Sequence, residues 1–273
     1  MKPRIVAIIQ ARMASSRLPD KVLLDIAGEP MLVRVVERTR KARTLDEVVV
    51  ATTKAPYDDA VEELCSERSY LCYRGSNRDV LDRYYQAART FNAEVIVRIT
   101  ADCPIIDPGV IDKTVYAFLG VESDDTYTKT SPSQQSTPYD FAANRLPPPW
   151  GRTYPIGLDT EVCSFDGLET AWKEAIKKYQ REHVMPFFYE QPERFRIFHV
   201  SHDPDYGSLR WTVDTQQDLE LLREIYASFP GRDDFTWLDV LALFEQEPEL
   251  ALINAQISAK HYRQVDTRTG YEG

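Results

Sequence analysis

The sequence of 273 residues predicts an α/β fold in which helices cover both faces of a mostly parallel central sheet. Two observations predict it. Short β-rich runs alternate with helical patterns over the first 120 residues, and the run EVIVRIT at 94–100 opens on unbroken apolar residues, which is typical of a strand buried on both faces. Ligands of such sheets bind at the carboxyl ends of the strands. We therefore look for site residues where strands end.

The first half of the chain supplies most of the predicted sheet. Strands are predicted at 5–11, 47–53, 70–74 and 94–100. Apolar residues at helical spacing predict helices around 31–39, 60–65 and 80–88, and a fourth at 108–120 that has proline in its first turn.

The regular alternation stops at about 120–156, a stretch rich in Pro, Ser, Thr and Asp with a short strand expected at TYTK or YDFAA. A loop this long inside a compact domain is usually functional or mobile. Beyond it we predict a strand at GLDTEVCSF, helices at 168–176 and 181–190, strands FRIFHVS and SLRWTVD, a helix with a possible cap at Thr215, and a capping box of Thr236 and Asp239. The whole chain, 1–273, is interpreted as one domain with an excursion at 120–165 and a helical tail at 230–273.

Composition excludes several classes of protein. The net charge of −10 disfavours nucleic acid as a partner, because nucleic-acid binding usually needs a basic patch. No apolar run reaches the ~20 residues that span a bilayer, and the short apolar stretch near the start is interpreted as a strand, not a signal peptide. We expect a cytosolic protein without a membrane partner. Four cysteines and four histidines lack the spacing of a zinc site, and no disulfide is expected.

A basic loop, RMASSRLPDK at 12–21, follows the first predicted strand. The guanidinium groups of Arg12 and Arg17 can each donate two hydrogen bonds to phosphate oxygens, and Lys21 adds a compact positive charge. Ser15 adds a hydroxyl. The loop lacks the Walker pattern. An ordinary solvated basic loop is the alternative, and the loop alone does not distinguish a nucleotide from a sugar phosphate.

Two aspartates stand where predicted strands end. Asp102 follows the strand at 94–100, and Asp214 ends SLRWTVD. Mg²⁺ takes oxygen ligands and is commonly held by one or two carboxylates together with substrate phosphates, so the pair fits a magnesium site. The alternatives are a turn aspartate at 102 and a helix N-cap at 214.

Several segments carry a family resemblance. AIIQARMASSRLPDKVLLDIAGEPML, RITADCPIID and TVDTQQDLEL resemble motifs of the cytidylyltransferases, the group that contains the acylneuraminate and KDO enzymes, and are most similar to the branch named after spore coat polysaccharide biosynthesis protein F. YRGSNRDVL, YPIGLDTEVCSF and REHV also resemble family segments in family order. The chain has Asp20 where the family usually has glycine, and it is longer than usual around 120–138.

The resemblance implies a three-layer α/β nucleotidyltransferase fold and assigns a role to each candidate residue. It places Mg²⁺ on Asp102 and Asp214. Nucleotide contacts fall on Ala11, Arg12, Ser15, Arg17, Lys21, Gly75, Ser76, Asp79 and Thr100, and acceptor contacts fall on Asn144, Gly157, Asp159 and Glu161. Arg98 is a further candidate for an acceptor contact, on its own chemistry. The alternatives are that Ser76 and Asp79 only begin a helix, and that the segment around Asp159 is a turn and a half-exposed strand.

Arg98 and His183 carry predictions that do not depend on the resemblance. Arg98 lies in a buried strand and needs an anionic partner, for which Asp214, Glu161 and the substrate are the candidates. His183 is interpreted as a packing or partner-contact residue in preference to a general base.

The activity implied by the resemblance is Mg²⁺-dependent transfer of CMP from CTP to an acidic sugar or related small acid, with release of pyrophosphate, for the synthesis of surface polysaccharide or glycan. It also implies a homodimer and an excursion at 120–165 that covers the acceptor site. One alternative is a glycosyltransferase that uses an activated sugar and the Asp-x-Asp sequence at 203–205. The other is a catalytically silent nucleotide-binding or scaffold protein.

Overall fold

The central sheet has seven strands in the part of the chain that the computed structural model describes, residues 2–121, 138–258 and 263–264. Its strands are β1 (Ile5–Gln10), β4 (Glu47–Thr53), β5 (Leu71–Gly75), β6 (Val95–Thr100), β7 (Phe141–Ala143), β8 (Glu161–Ser164) and β9 (Ile197–His199). A separate two-stranded hairpin consists of β2 (Asp25–Ile26) and β3 (Glu29–Pro30).

The strand order is β5-β4-β1-β6-β8-β7-β9. The first four strands in that order run parallel, β8 is antiparallel to both of its neighbours, and β9 is parallel to β7. The four parallel strands are those predicted in the first half of the chain. The sheet is therefore mostly parallel, as the sequence predicted, with a mixed edge built from the second half.

Helices cover both faces of this sheet. The described α-helices are α1 (Met31–Arg40), α2 (Asp59–Glu67), α3 (Val80–Thr90), α4 (Pro108–Leu119), α5 (Phe165–Glu174), α6 (Lys178–His183), α7 (Pro186–Tyr189), α8 (Gln216–Ala227) and α9 (Trp237–Gln246).

Alternate residues of β1 enter two separate cores. Ile5, Ala7 and Ile9 pack with residues of α1, α2, α4, α8 and α9, whereas Val6 and Ile8 pack with residues of α3, α5 and α7. Because successive side chains of a strand point to opposite faces, this division shows helices on both sides of the sheet. It confirms the predicted three-layer architecture and the burial of the central strands on both faces.

Two predicted elements are wrong in form. SLRWTVD at 208–214 is not a strand: Arg210 makes one isolated bridge to Ile156, and the amide of Val213 donates to the carbonyl of Asp102 at 2.8 Å. These partners lie in irregular segments, so no ladder forms. The helix predicted at 181–190 is two short helices, α6 and α7. Val184, at φ 65°, ends α6, and Pro186, the first residue of α7, has no amide hydrogen to continue α6.

Other local predictions are confirmed. Thr215 and Thr236 are the N-caps of α8 and α9, each in a capping box with an aspartate three residues later, Asp218 and Asp239. YDFAA contains β7, while TYTK lies outside the described residues. None of the described helices has the length and apolar character needed to cross a membrane.

Candidate active site

A cavity of about 240 Å³ lies at the carboxyl ends of β1 and β6. Its walls come from the basic loop, from the ends of these two strands, and from α3 and α6. Nine residues that the sequence singled out as site candidates line it: Ala11, Arg12, Ser15, Arg17, Lys21, Arg98, Thr100, Asp102 and Asp214. Residues far apart in the sequence thus meet at the edge where the fold class predicts a ligand.

The basic loop is held in shape at both ends. At its start, the fully buried carboxylate of Asp58 accepts hydrogen bonds from the amide of Met13 at 2.7 Å and from the Thr53 hydroxyl. At its end, Asp20 has φ 56° and ψ 15°, and its amide donates to the carbonyl of Met13 at 3.1 Å. A short 3-10 helix, Lys21–Leu23, follows and directs Lys21 into the cavity.

Lys21 joins the two aspartates. Its Nζ donates to Oδ2 of Asp102 at 3.0 Å, to Oδ1 of Asp214 at 3.0 Å and to the carbonyl oxygen of Val213 at 2.8 Å. Arg17 Nη2 lies 2.8 Å from Oδ2 of Asp214. Asp214 therefore reaches the ligand edge although it does not end a strand, and it is not an N-cap because Thr215 occupies that position.

The charges of this cluster stabilise one another. Burial would raise the pKa of Asp214, but the charges of Lys21 and Arg17 and hydrogen bonds from Lys21 and Arg210 hold that pKa well below its usual value. Burial would also lower the pKa of Lys21, yet the two carboxylates raise it above its usual value. Both aspartates and the lysine in contact with them face the cavity, where a polyphosphate and a cation can exchange partners with them.

The donor set fits Mg²⁺. One oxygen of Asp102 and one of Asp214 each lie 3.0 Å from the same ammonium, so the two carboxylates converge on one point. No group of three or more His, Cys, Asp or Glu residues suited to a metal occurs among the described residues. Two carboxylates nevertheless match the way Mg²⁺ is commonly held when substrate phosphates complete its shell.

Arg98, Glu182 and His183 also line the cavity. Arg98 pairs with Glu161 and donates to Gln10 Oε1 at 3.1 Å, so of the three candidate partners the structure selects Glu161. Burial would lower the pKa of Arg98, but Glu161 raises it, and the guanidinium stays charged. Burial lowers the pKa of His183, whose Nε2 lies 2.8 Å from the carbonyl oxygen of Gln264.

The sequence analysis did not identify several residues of this site. Arg83 and Glu182 line the cavity, and Arg12 Nη2 lies 3.9 Å from Glu182 Oε1. Arg210 and Asp218 stand behind Asp214. The spacing of Thr215 and Asp218 matches a capping box and was the one local signal that could have identified Asp218.

The predicted nucleotide contacts between β5 and α3, Gly75, Ser76 and Asp79, have structural partners within the protein. Asp79 is the N-cap of α3 and forms a forked ion pair with Arg181, and Ser76 Oγ accepts from the Asp79 amide at 3.0 Å. A Cβ on Gly75 would lie 2.8 Å from the Tyr73 ring and 2.9 Å from the Arg83 side chain. These three residues are not in the lining of the cavity, and their contact with a nucleotide stays a prediction.

The remaining acceptor candidates organise the segment before β8. Asn144 bridges the backbone of Leu158 and Thr160, and Asp159 pairs with Arg152 at 2.7 Å. Burial would raise the pKa of Asp159, but Arg152 lowers it. Gly157 has φ 112°, and a Cβ there would lie 2.6 Å from the Trp211 carbonyl, so glycine allows the two segments to touch. Their role toward an acceptor stays a prediction.

The Asp-x-Asp sequence lies apart from the cavity. Asp203 and Asp205 are exposed in the loop after β9, and neither lines the cavity. Asp205 instead accepts a hydrogen bond from the amide of Gly207 at 2.7 Å. A glycosyltransferase site based on this pair receives no support from their placement.

We expect Asp20→Gly to be nearly neutral. Asp20 is exposed and already has the left-handed backbone conformation that glycine favours, so the relief of strain and the added freedom of the unfolded chain should offset each other to within about 1 kcal/mol. Thermal unfolding and steady-state kinetics check this. Asp20→Val is the matched variant, since a β-branched residue is strained at this φ, and equal melting temperatures for all three proteins would contradict the prediction.

Comparison with known proteins identifies the family of this chain. A family model described as cytidylyltransferase matches residues 6–148. An uncharacterized protein of Methanocaldococcus jannaschii is 37% identical over 96% of this chain and 99% of its own length. The spore coat polysaccharide biosynthesis protein SpsF of Bacillus subtilis is 30% identical over 90% of this chain and 96% of its own. The structure of a cytidylyltransferase from Leptospira borgpetersenii, 29% identical, matches with a TM-score of 0.79 over 96% of this chain and 100% of that one. This chain belongs to the cytidylyltransferase family and is a CTP-dependent nucleotidyltransferase.

Proposed function

We propose that the protein transfers CMP from CTP to an acidic sugar or related small acid in a Mg²⁺-dependent reaction that releases pyrophosphate. The observation that carries the proposal is the cluster of Lys21, Arg17, Asp102 and Asp214 in the wall of the cavity. Cations beside two carboxylates are the groups needed to hold a triphosphate together with a divalent metal.

The basic loop would hold the phosphates. In the structure Arg17 and Lys21 pair with the Asp214 carboxylate. The phosphate oxygens of an incoming triphosphate are negatively charged like that carboxylate, so they can replace it as partners of the two cations. Arg12, at the end of β1, adds a third positive charge to the wall. The Met13 amide donates to Asp58 and the Asp20 amide donates to the Met13 carbonyl, so the loop backbone keeps its position while the side chains exchange partners.

Asp102 and Asp214 would hold Mg²⁺, which when bound supplies charge stabilisation at the phosphate oxygens. An acceptor oxygen then attacks the α-phosphorus in line, a new phosphorus–oxygen bond forms, and the bond to pyrophosphate breaks. Such transfer depends on positioning and on charge stabilisation, so the chain needs no covalent nucleophile.

We place the acceptor beside the lining residues that do not belong to the basic loop or to the metal-binding pair. The wall there consists of Arg98, Glu182 and His183, which offer both charged and neutral hydrogen-bonding groups to a polyhydroxy acid. The acidic character of the acceptor rests on the resemblance to the acylneuraminate and KDO enzymes, and the role in polysaccharide synthesis is suggested by the name of the Bacillus subtilis relative. The homodimer and the cytosolic location stay predictions.

The test is a pyrophosphate-release screen. Purified protein is incubated with Mg²⁺, CTP and each member of a panel of sugar acids, neutral sugars and small phosphonates, with ATP, GTP and UTP as nucleotide controls. We expect release with CTP and an acidic acceptor, and loss of release when the metal is removed with EDTA. Release with neutral sugars alone would overturn the acidic acceptor, and calorimetric binding of CTP without turnover on any acid would favour a silent binding protein.

A further inference from the structure

Asp214 has three cationic partners, and one of them differs from the others. Arg17 and Lys21 belong to the basic loop at the cavity wall. Arg210 instead lies behind Asp214, is 8% exposed, and does not line the cavity. Its Nη2 donates to Oδ2 of Asp214 at 2.8 Å. The three cations therefore approach the same carboxylate from the ligand side and from the protein side.

Arg210 is fixed from behind by Asp218. The Arg210 Nε donates to Oδ1 of Asp218 at 2.9 Å and its Nη2 donates to Oδ2 at 3.2 Å, a forked pair that sets the plane of the guanidinium. Asn254 Nδ2 donates to Oδ1 of the same aspartate at 2.9 Å and to the carbonyl of Arg210 at 3.0 Å. A residue near the end of the described chain thus braces this pair.

Asp218 has no capacity left for a ligand. Its side chain is fully buried, and its Oδ2 also accepts from the amides of Asp214 and Thr215 and from the Thr215 hydroxyl, each at 3.0 Å. Burial would raise its pKa, but the hydrogen bonds from Arg210 and Asn254 hold that pKa below its usual value. It therefore acts as a fixed anchor for the Asp214 backbone and for Arg210.

We propose that Arg210 is a positioning residue that holds Oδ2 of Asp214 permanently and leaves Oδ1 as the oxygen offered to the metal. Nucleotide phosphates compete for Arg17 and Lys21, whereas Arg210 cannot leave without breaking its forked pair with Asp218. This inference rests on the proposed function, because it assumes that Asp214 binds the metal. It assigns to Arg210, Asp218 and Asn254 the orientation of that ligand.

Two effects of Arg210 on metal binding oppose each other. Its positive charge repels a cation near Asp214, so its removal could strengthen binding. Its hydrogen bond fixes the carboxylate, and loss of such an outer partner typically weakens metal affinity or activity by about 10–100-fold. The guanidinium charge is already paired with Asp218, so we expect the orienting effect to dominate.

The test compares Arg210→Lys and Arg210→Met with the wild type. Mn²⁺ binding, measured by electron paramagnetic resonance with a non-hydrolysable CTP analogue present, reads the metal site without turnover. We expect binding about 10–100-fold weaker in both variants, a matching rise in the Mg²⁺ concentration for half-maximal turnover, and a KM for CTP at saturating Mg²⁺ close to that of the wild type. Lysine keeps the positive charge but lacks the planar guanidinium that donates two hydrogen bonds. Weakened Mn²⁺ binding in Arg210→Lys would therefore show that orientation, and not charge, is the contribution of Arg210.

Arg38→Lys is the matched control. Arg38 is also buried, at 1% exposed, and donates to the carbonyls of Ile106 and Phe235, but it lies outside the cavity lining. It should lose stability and keep wild-type Mn²⁺ binding. If Arg210→Met does not fold, Arg210→Lys decides. Mn²⁺ binding that is unchanged or tighter in a folded Arg210 variant overturns the proposal.

A third variant separates this inference from the proposed function. Asp214→Asn should lose both Mn²⁺ binding and turnover. If that variant kept them, the metal assignment itself would fail. If it lost them while the Arg210 variants behaved like the wild type, only the positioning role would fail.

Discussion

Asp102→Asn is expected to lower the rate of CTP-dependent pyrophosphate release by about 10³-fold, equivalent to about 4 kcal/mol of transition-state stabilisation. Asparagine has the shape of aspartate but lacks the charge that attracts Mg²⁺ and Lys21. The fold should persist, because Lys21 keeps its contacts with Asp214 and with the carbonyl of Val213. Single-turnover kinetics at saturating CTP and near-ultraviolet circular dichroism measure the two effects.

The control for this prediction is Asp205→Asn. The substitution is chemically identical, but Asp205 is exposed in the loop after β9 and does not line the cavity. It should leave pyrophosphate release at the wild-type rate. A well-folded Asp102→Asn enzyme with near-normal turnover would show that the metal, if it is needed, is held elsewhere. A loss in Asp205→Asn alone would revive the glycosyltransferase alternative.

The sequence was sufficient to bring the main site residues to one edge of the sheet. Because β1 and β6 are parallel neighbours, whatever follows them must lie close together, and this places the basic loop beside Asp102. Asp214 was predicted at the same edge for the wrong reason. Its segment is not a strand and reaches the edge through single backbone contacts, such as the one from Val213 to Asp102, which have no periodic signature.

Pairings between residues far apart in the chain could not be predicted from the sequence. The sequence leaves three candidate partners for Arg98, because the choice depends on the antiparallel register of β6 and β8, which sets Arg98 opposite Glu161. That register pairs residues 63 positions apart, and no local pattern fixes it. Arg210 and Asn254 were missed for the same reason, since 44 positions separate them.

The departure from the family glycine at position 20 has a local physical explanation. Aspartate is one of the few residues other than glycine that visits the left-handed region, and Asp20 does so with φ 56°. The backbone of the loop therefore turns as a glycine would allow. The loop conformation depends on the dihedral angles at position 20, and aspartate adopts the angles that glycine favours.

Arg98→Met is expected to destabilise the protein by about 3–5 kcal/mol. Glu161 is 2% exposed, and its close partner is the Arg98 guanidinium, while Arg145 lies 4.0 Å away. Removal of Arg98 leaves a buried carboxylate with only this longer contact. Thermal unfolding should show a fall in melting temperature of roughly 6–20 °C for a chain of this size, and urea unfolding should give the free energy directly.

The double variant Arg98→Met/Glu161→Met separates the cost of an unpaired charge from the loss of an attraction. Replacing both partners of a buried ion pair by apolar residues of similar size usually changes the stability little. The double variant should therefore regain most of the stability lost in Arg98→Met. Arg194→Met, which breaks an exposed pair with Glu174, should barely change the melting temperature. If the double variant were as unstable as Arg98→Met alone, loss of the attraction rather than the unpaired charge of Glu161 would account for the effect, and the desolvation argument for Arg98 would fail.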